Sequence, residues 1–69
     1  MKIKTEIQAV IWKINVKVGQ KVDIGDTVVI LESMKLEIPI ESELRGIVKE
    51  ILVNEGDHVN ENQELITLE

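Results

Sequence analysis

Few side chains in this chain of 69 residues are suited to chemistry. The sequence has no cysteine and a single histidine, His58, which excludes thiolate nucleophiles, disulfides and zinc sites built on sulfur ligands. It also offers no recognisable catalytic set of Ser, His and Asp, and it lacks the glycine spacing of a phosphate-binding loop. The residue types therefore predict that the protein is not an enzyme.

One of the seven lysines, Lys35, is singled out by an internal repeat. Compared with itself at an offset of 37, the sequence aligns residues 9–32 with residues 46–69, and six of the 24 pairs are identical. Two copies are too few for a solenoid, so we expect them to close on each other about an approximate two-fold axis. The copies are joined by Ser33-Met34-Lys35-Leu36-Glu37. Lys35 is thus predicted to lie at a hairpin tip, at the opposite end from the chain termini.

The elements that position this tip are predicted to be β-strands. Nine valines and eleven isoleucines are typical of strands, because branching at Cβ suits a pleated surface. Apolar residues alternate from Val10 to Val18, which indicates a half-buried strand whose core face includes Trp12. Contact with a partner is the weaker interpretation of Trp12. Further strands are predicted at residues 27–32 and 64–68, and Pro39 is expected at a sheet edge or bulge because it lacks an N–H.

These signals predict one all-β domain over residues 1–69. We expect about eight short strands in two antiparallel sheets, packed as a flattened barrel or sandwich with pseudo-two-fold symmetry, that is, a barrel-sandwich hybrid. Glycines at positions 19 and 56 are expected to form equivalent turns in the two copies.

Charge and hydrophobicity limit the partners and the location. The net charge of −5 and the single aromatic residue argue against a nucleic-acid partner, because phosphates would be repelled and bases would find no stacking platform. The longest apolar run, Val28 to Leu31, is too short to cross a membrane. The absence of cysteine suits a reducing compartment, so we expect a cytoplasmic protein without a membrane partner.

The joint between the two copies resembles a known attachment motif. Glu32-Ser33-Met34-Lys35-Leu36-Glu37 is similar to the Met-Lys-Met/Leu motif of biotinyl domains, the carriers of biotin-dependent carboxylases. The resemblance extends along the chain through Val18-Gly19-Gln20-Lys21-Val22, Gly46-Ile47-Val48 and Glu55-Gly56-Asp57-His58-Val59, which also resemble the related lipoyl domains. Within the family, the chain is most similar to the small free-standing biotin/lipoyl attachment proteins.

The resemblance implies a covalent cofactor carrier. By this similarity, Lys35 is biotinylated by a biotin protein ligase, and the biotinyl arm carries activated CO2 between the sites of biotin carboxylase and carboxyltransferase subunits. Met34 and Leu36 flank the attachment residue, and Glu32 is a candidate for recognition by the ligase. Glu37, Glu41 and Glu43 are expected to form a solvated acidic face with Glu32, with steering of a basic ligase or carboxylase surface as the weaker interpretation.

Two alternatives to a biotin carrier stay open from the sequence. One is a lipoyl carrier serving a 2-oxoacid dehydrogenase-type complex with lipoate as its cofactor, although lipoyl domains more often have Asp-Lys-Ala around the lysine. The other is an unmodified structural or adaptor domain of the same fold. Met34 and Leu36 likewise have two interpretations: an exposed recognition pair, or half-buried residues that close the end of the barrel.

Overall fold

The computed structural model describes residues 1–69, which form eight β-strands and no helix, so no helix capable of spanning a membrane is present. The many β-branched residues favour strands, and the short spacing between turns keeps those strands brief. The strands are β1 (Lys2–Lys4), β2 (Ala9–Ile14), β3 (Lys21–Val22), β4 (Thr27–Ser33), β5 (Leu36–Glu41), β6 (Gly46–Ile51), β7 (His58–Val59) and β8 (Glu64–Leu68).

The strands form two antiparallel sheets of four strands each. The first sheet has the order β1-β8-β6-β3 and the second has the order β5-β4-β2-β7. Adding four to each strand number of the first sheet, with the count continuing from β8 to β1, reproduces the order of the second sheet, so the two sheets are related by the internal repeat. Each sheet contains strands from both copies, which confirms the predicted all-β fold of two interlocked halves.

The turns repeat with the same offset as the sequence. Gln20 N donates to Lys17 O at 3.0 Å, and the equivalent Asp57 N donates to Asn54 O at 3.1 Å. Gly19 and Gly56 adopt φ values of 90° and 93° in these turns, a backbone conformation that a Cβ atom disfavours. The two copies therefore share turn geometry even where their side chains differ.

The core lies between the two sheets and is entirely aliphatic. Branched side chains from both copies fill it, and several of them have no exposed surface. Two buried hydroxyl residues, Thr5 and Ser42, are equivalent by the repeat, and each hydroxyl bonds to the backbone two residues later, at Ile7 and Leu44. The core residues are Ile3, Ala9, Ile11, Val16, Val22, Val28, Val29, Leu31, Val48, Val53, Val59, Leu65, Ile66 and Leu68.

The predicted core face of the strand from Val10 to Val18 is confirmed at Ile14 and Val16 but wrong at Trp12 and Val18. The strand ends at Ile14, and Ile11 is buried, whereas Trp12 is 47% exposed and Val18 is 65% exposed. The cause is a β-bulge: Ile11 pairs with Leu31 and Lys13 pairs with Ile30, so Trp12 is an extra residue that reverses the alternation. Strand β6 has the equivalent bulge between Val48 and Glu50.

The β4–β5 turn and the chain termini lie at opposite ends of the molecule, as predicted. Residues 10–20 run from one end to the other. Val10 pairs with Glu32 beside the turn, whereas Gln20 O accepts a hydrogen bond from Val48 N on β6, the strand paired with the C-terminal strand β8. The termini themselves are paired, since Leu68 N donates to Met1 O at 2.7 Å.

Candidate functional site

The β4–β5 hairpin ends in a turn of two residues. Ser33 pairs with Leu36, which leaves Met34 and Lys35 as the loop, with φ values of 52° and 65°. A two-residue hairpin loop with both φ angles positive is a type I′ turn, whose backbone twist matches the twist of the strands. The turn is therefore tight, and the position of the Lys35 Cα is set by the ladder on either side.

Neither residue of this turn is of a type that favours its conformation. Type I′ turns are usually built from Asn-Gly or Gly-Gly, because the left-handed conformation costs residues with a Cβ about 1–2 kcal/mol each. Met34 and Lys35 both carry that cost, whereas the only other non-glycine residue with positive φ is Asn62, which tolerates it. Such strain is often found at functional sites and points to selection of these side chains for something other than stability.

The side chain of Lys35 is exposed and free of partners. The two ion pairs of the protein, Lys2–Glu64 and Arg45–Asp23, do not include it, and no hydrogen bond engages its ammonium group. Met34 is 91% exposed and Leu36 is 64% exposed. Of the two interpretations of these flanking residues, closure of the barrel end is therefore wrong, and both side chains lie in solvent beside Lys35.

A pair of carboxylates lies directly below the turn. Glu32 on β4 pairs with Glu37 on β5, one step from Ser33 and Leu36, and both side chains are exposed. Like charges directly opposite each other on neighbouring strands are destabilising, so this pair also opposes stability. Neither carboxylate takes part in an ion pair, and Glu41 continues the acidic edge along β5.

The rigidity of the hairpin comes from the strand that leads into it. Strand β4 is internal to its sheet, paired with β5 on one side and β2 on the other. Val29 and Leu31 on this strand have no exposed surface, and Ile38 and Ile40 of β5 pack against the core. Pro39 is exposed on β5, an edge strand, as its missing N–H predicted. The turn is thus anchored on core residues within a few positions of Lys35.

The polar groups outside the hairpin form no cluster of metal ligands. His58 is exposed, and no group of three His, Asp or Glu side chains is placed to hold a metal ion. A groove of about 980 Å³ lies between the edge strands β1 and β5, but neither Lys35 nor its flanking residues line it. Between strands β1 and β8, a hydrogen bond from Lys2 lowers the pKa of the Glu64 carboxyl, with an N–O distance of 2.6 Å.

The one feature near the hairpin that sequence reasoning misplaced is Trp12. A periodicity of two assigned it to the core, and no local signal marks the bulge that turns it outward. The repeat offered a clue, because the position equivalent to Trp12 is Lys49, a residue that would not be buried without a partner.

Known proteins with similar sequences include biotin carriers and attachment proteins. A protein-family model for the biotin/lipoyl family, described as "Biotin-requiring enzyme", matches residues 1–68. The biotin/lipoyl attachment protein of Bacillus subtilis (strain 168) is 46% identical over 68 residues, which cover 99% of this chain and 93% of that protein. The biotin carboxyl carrier protein of acetyl-CoA carboxylase from Haemophilus influenzae is 44% identical over 54 residues, which cover 78% of this chain and 35% of that protein.

Solved structures show the same fold inside larger enzymes. The urea carboxylase of Kluyveromyces lactis matches with a TM-score of 0.90 and 31% identity over 99% of this chain, which corresponds to 6% of that enzyme. A single-chain, multi-domain long-chain acyl-CoA carboxylase matches with a TM-score of 0.88 at 18% identity, which shows the fold alone. The family match over residues 1–68, together with the 46% identical relative, shows that the chain belongs to the biotin/lipoyl attachment family.

Proposed function

We propose that this chain is a covalent biotin carrier and that Lys35 is its attachment residue. The observation that carries the proposal is the geometry of the β4–β5 turn, which presents one unpaired lysine between two exposed apolar side chains at a fixed end of the barrel. The names of the relatives support the cofactor, since they include a biotin/lipoyl attachment protein and biotin carboxyl carrier proteins.

The residues present fit the attachment of biotin by a separate ligase. The Lys35 Nζ, once deprotonated in the ligase site, attacks the carbonyl carbon of biotinyl-adenylate; an amide bond forms, the bond to AMP breaks, and AMP leaves. An unactivated lysine in solvent suits a substrate of this kind, because lysines that act as nucleophiles in their own enzymes are usually desolvated. The exposed Met34 and Leu36 leave the approach to Lys35 Nζ open.

The contribution of the carrier itself is position. When bound, biotin supplies the ability to carry activated CO2 between two reaction sites. Lys35 contributes a flexible tether, while the hairpin keeps its Cα fixed, so the carried group is held at a high effective concentration near each site. No cluster of acid, base or metal-binding groups surrounds Lys35, and we therefore propose a carrier role without catalysis by this chain.

The proposed partners are a biotin protein ligase and the biotin carboxylase and carboxyltransferase subunits of a carboxylase. This chain spans only 35% of the Haemophilus carrier protein and 6% of the urea carboxylase, so the activities of those whole proteins are proposals for it. We also propose that residues 1–69 act as a single domain, and that attachment takes place in the cytoplasm. The exposed Glu32, one strand position from the turn, is proposed to contact the ligase.

The lipoyl carrier and the unmodified adaptor are less well supported. Several of the relatives are named for biotin carriage in acetyl-CoA carboxylase, and Met34 and Leu36 match the biotinyl motif rather than Asp-Lys-Ala. The lipoyl alternative retains one observation in its favour, the name of the Bacillus relative, which includes both cofactors.

Mass spectrometry of the peptide that contains Lys35 tests the proposal. The purified protein is incubated with a biotin protein ligase, ATP and biotin, and in parallel with a lipoate ligase, ATP and lipoate. We expect one biotin per chain, on Lys35, and no modification of the Lys35→Arg variant. The matched control is Lys49→Arg, which should be modified as fully as the wild type. Modification of another lysine, or lipoylation alone, would contradict the proposal.

A further inference from the structure

The two sheets share one fold but present different outer surfaces. On the second sheet, which carries the β4–β5 hairpin, the register places four apolar residues next to one another on β2, β4 and β5. Lys13 pairs with Ile30 beside the bulged Trp12, and Ile30 pairs with Pro39 on the edge strand. Trp12 is 47% exposed, Pro39 is exposed, and Val10 and Ile30 are half-buried. We call Val10, Trp12, Ile30 and Pro39 the Trp12 patch.

The internal repeat supplies a control for this surface. The equivalent positions on the first sheet hold Ile47, Lys49, Thr67 and Lys2, so three of the four apolar residues are replaced by polar ones. The bulge that turns Trp12 outward is also present in β6, where it carries Lys49 or its neighbour into solvent. The fold therefore does not require an apolar residue at the positions of Trp12, Ile30 and Pro39, and the first sheet forms without an exposed tryptophan.

The patch is continuous with the attachment site and has an acidic border. Ile30 lies three residues before Ser33 on β4, which puts the patch about 10 Å from the turn at the usual strand rise. Glu32, Glu37 and Glu41 border it on β4 and β5, with Lys13 as the cation on the β2 side. An apolar centre with an acidic border fits a partner whose surface is apolar in the middle and rich in lysine and arginine around it.

We propose that the Trp12 patch is the docking surface for the enzyme that modifies Lys35. This inference rests on the proposed function. An enzyme acting on the bare lysine must bring its reacting atoms to Nζ, which is separated from the turn by only the length of one lysine side chain. The surface of that enzyme must then cover the neighbouring surface of the sheet. A partner that acts at the far end of a finished biotinyl arm has no such need. The occupant that fits the patch is therefore the ligase, through a basic surface with an apolar centre.

The test measures ligase kinetics against carrier concentration. Trp12→Lys/Ile30→Thr places on the second sheet the residues that the first sheet already carries, so the fold accommodates them. A buried aromatic anchor dominates many interfaces, so we expect the KM for the carrier to rise at least about tenfold with kcat within about twofold. Pro39→Lys gives a second, independent variant at the patch edge, expected to raise KM in the same direction. KM should also rise with ionic strength for the wild type.

The matched controls are Ile47→Thr and Lys49→Ala on the outer face of the first sheet, both expected to leave KM within about twofold. Circular dichroism melting confirms that each variant is folded. Unchanged KM in the patch variants overturns the inference, and so does an effect confined to carboxylase turnover by fully biotinylated protein. Sedimentation that shows Trp12-dependent self-association at the assay concentrations would assign the patch to a second copy instead. If the wild type is modified at Lys35 but the patch variants keep their KM, the docking inference fails and the proposed function stands. If the wild type is not modified at Lys35, the proposed function and the docking inference both fail.

Discussion

Replacement of Met34 by asparagine is expected to stabilise the protein while making it a poorer ligase substrate. Met34 holds φ at 52° in the β4–β5 turn and is 91% exposed, so it contributes almost no apolar burial to offset its strained backbone. Asparagine is strongly preferred at this position of a type I′ turn, because its short side chain bonds locally and tolerates the left-handed conformation.

The size of the effect follows from the conformational cost. The left-handed conformation costs a residue with a Cβ about 1–2 kcal/mol, and asparagine recovers part of that, so we expect a gain of about 0.5–1 kcal/mol in the free energy of unfolding. For a domain of this size each kcal/mol shifts the melting temperature by roughly 4–8 °C, so Met34→Asn should melt about 2–8 °C higher.

Urea denaturation and thermal melting of the unmodified protein measure this gain. The matched control is Leu36→Asn, which puts the same residue two positions away in β5; it should be neutral or destabilising, because asparagine is disfavoured in strands. In ligase kinetics on the same samples we expect a lower kcat/KM for Met34→Asn, because the exposed methionine lies beside Lys35. The strain argument is refuted if Met34→Asn melts at or below the wild-type temperature while keeping the wild-type hairpin structure.

Three further predictions concern the scaffold. Gly46→Ala should destabilise the protein by about 1–3 kcal/mol in urea titrations, because an added Cβ would lie 2.8 Å from Glu69 O and 3.3 Å from the Leu68 Cβ. A stability equal to that of the wild type would contradict this, because it would mean that the C-terminal strand shifts without cost. Thr5→Val should cost about 1–3 kcal/mol by the same measurement, since the Ile7 N–H loses the Thr5 hydroxyl at 3.1 Å, whereas Thr67→Val on the outer face serves as a near-neutral control. The hydrogen bond from Lys2 lowers the pKa of Glu64 in the folded protein. The Glu64 carboxylate therefore stabilises the fold fully at pH values above its unfolded-state pKa, near the usual 4.5, and this stabilisation is lost as the pH falls through the lower folded-state pKa. Glu64→Gln should therefore reduce stability at pH 7 and flatten its decline below pH 4.5, and an unchanged acid profile would contradict the ion pair.

Much of the fold could be predicted because the repeat is visible in the residues. The strands at Thr27–Ser33 and Glu64–Leu68, the glycine turns and the opposite placement of hairpin and termini all follow from an offset of 37 and from alternation of apolar residues. The same two-fold argument predicts from the sequence alone that Lys35 lies in the hairpin between the two copies. Its role as the attachment residue stays a prediction until the modified peptide is measured.

The burial of individual residues near the bulges could not be predicted. One extra residue in β2 reverses which side chains face the core, so Ile11 is buried and Trp12 is exposed, against the expectation from alternation. A bulge is set by the register of the partner strand, whose paired residues lie 15 to 22 positions away along the chain. The exposure of Met34 and Leu36 likewise depends on how far the hairpin extends past the core, and local sequence does not encode that distance.

By itself, the amino-acid sequence determined the strand-rich composition, the duplicated halves and the lysine at their joint, because composition and the spacing of a repeat do not depend on how the strands pair. Only the tertiary structure decided that this lysine and its methionine neighbour are held at positive φ and that the flanking side chains stand in solvent. It also decided that one outer sheet surface carries an apolar patch, whereas three of the four equivalent positions on the other sheet are polar. These features arise from pairing between distant strands, whose register sets both backbone angles at the turn and the direction of every side chain on the sheet.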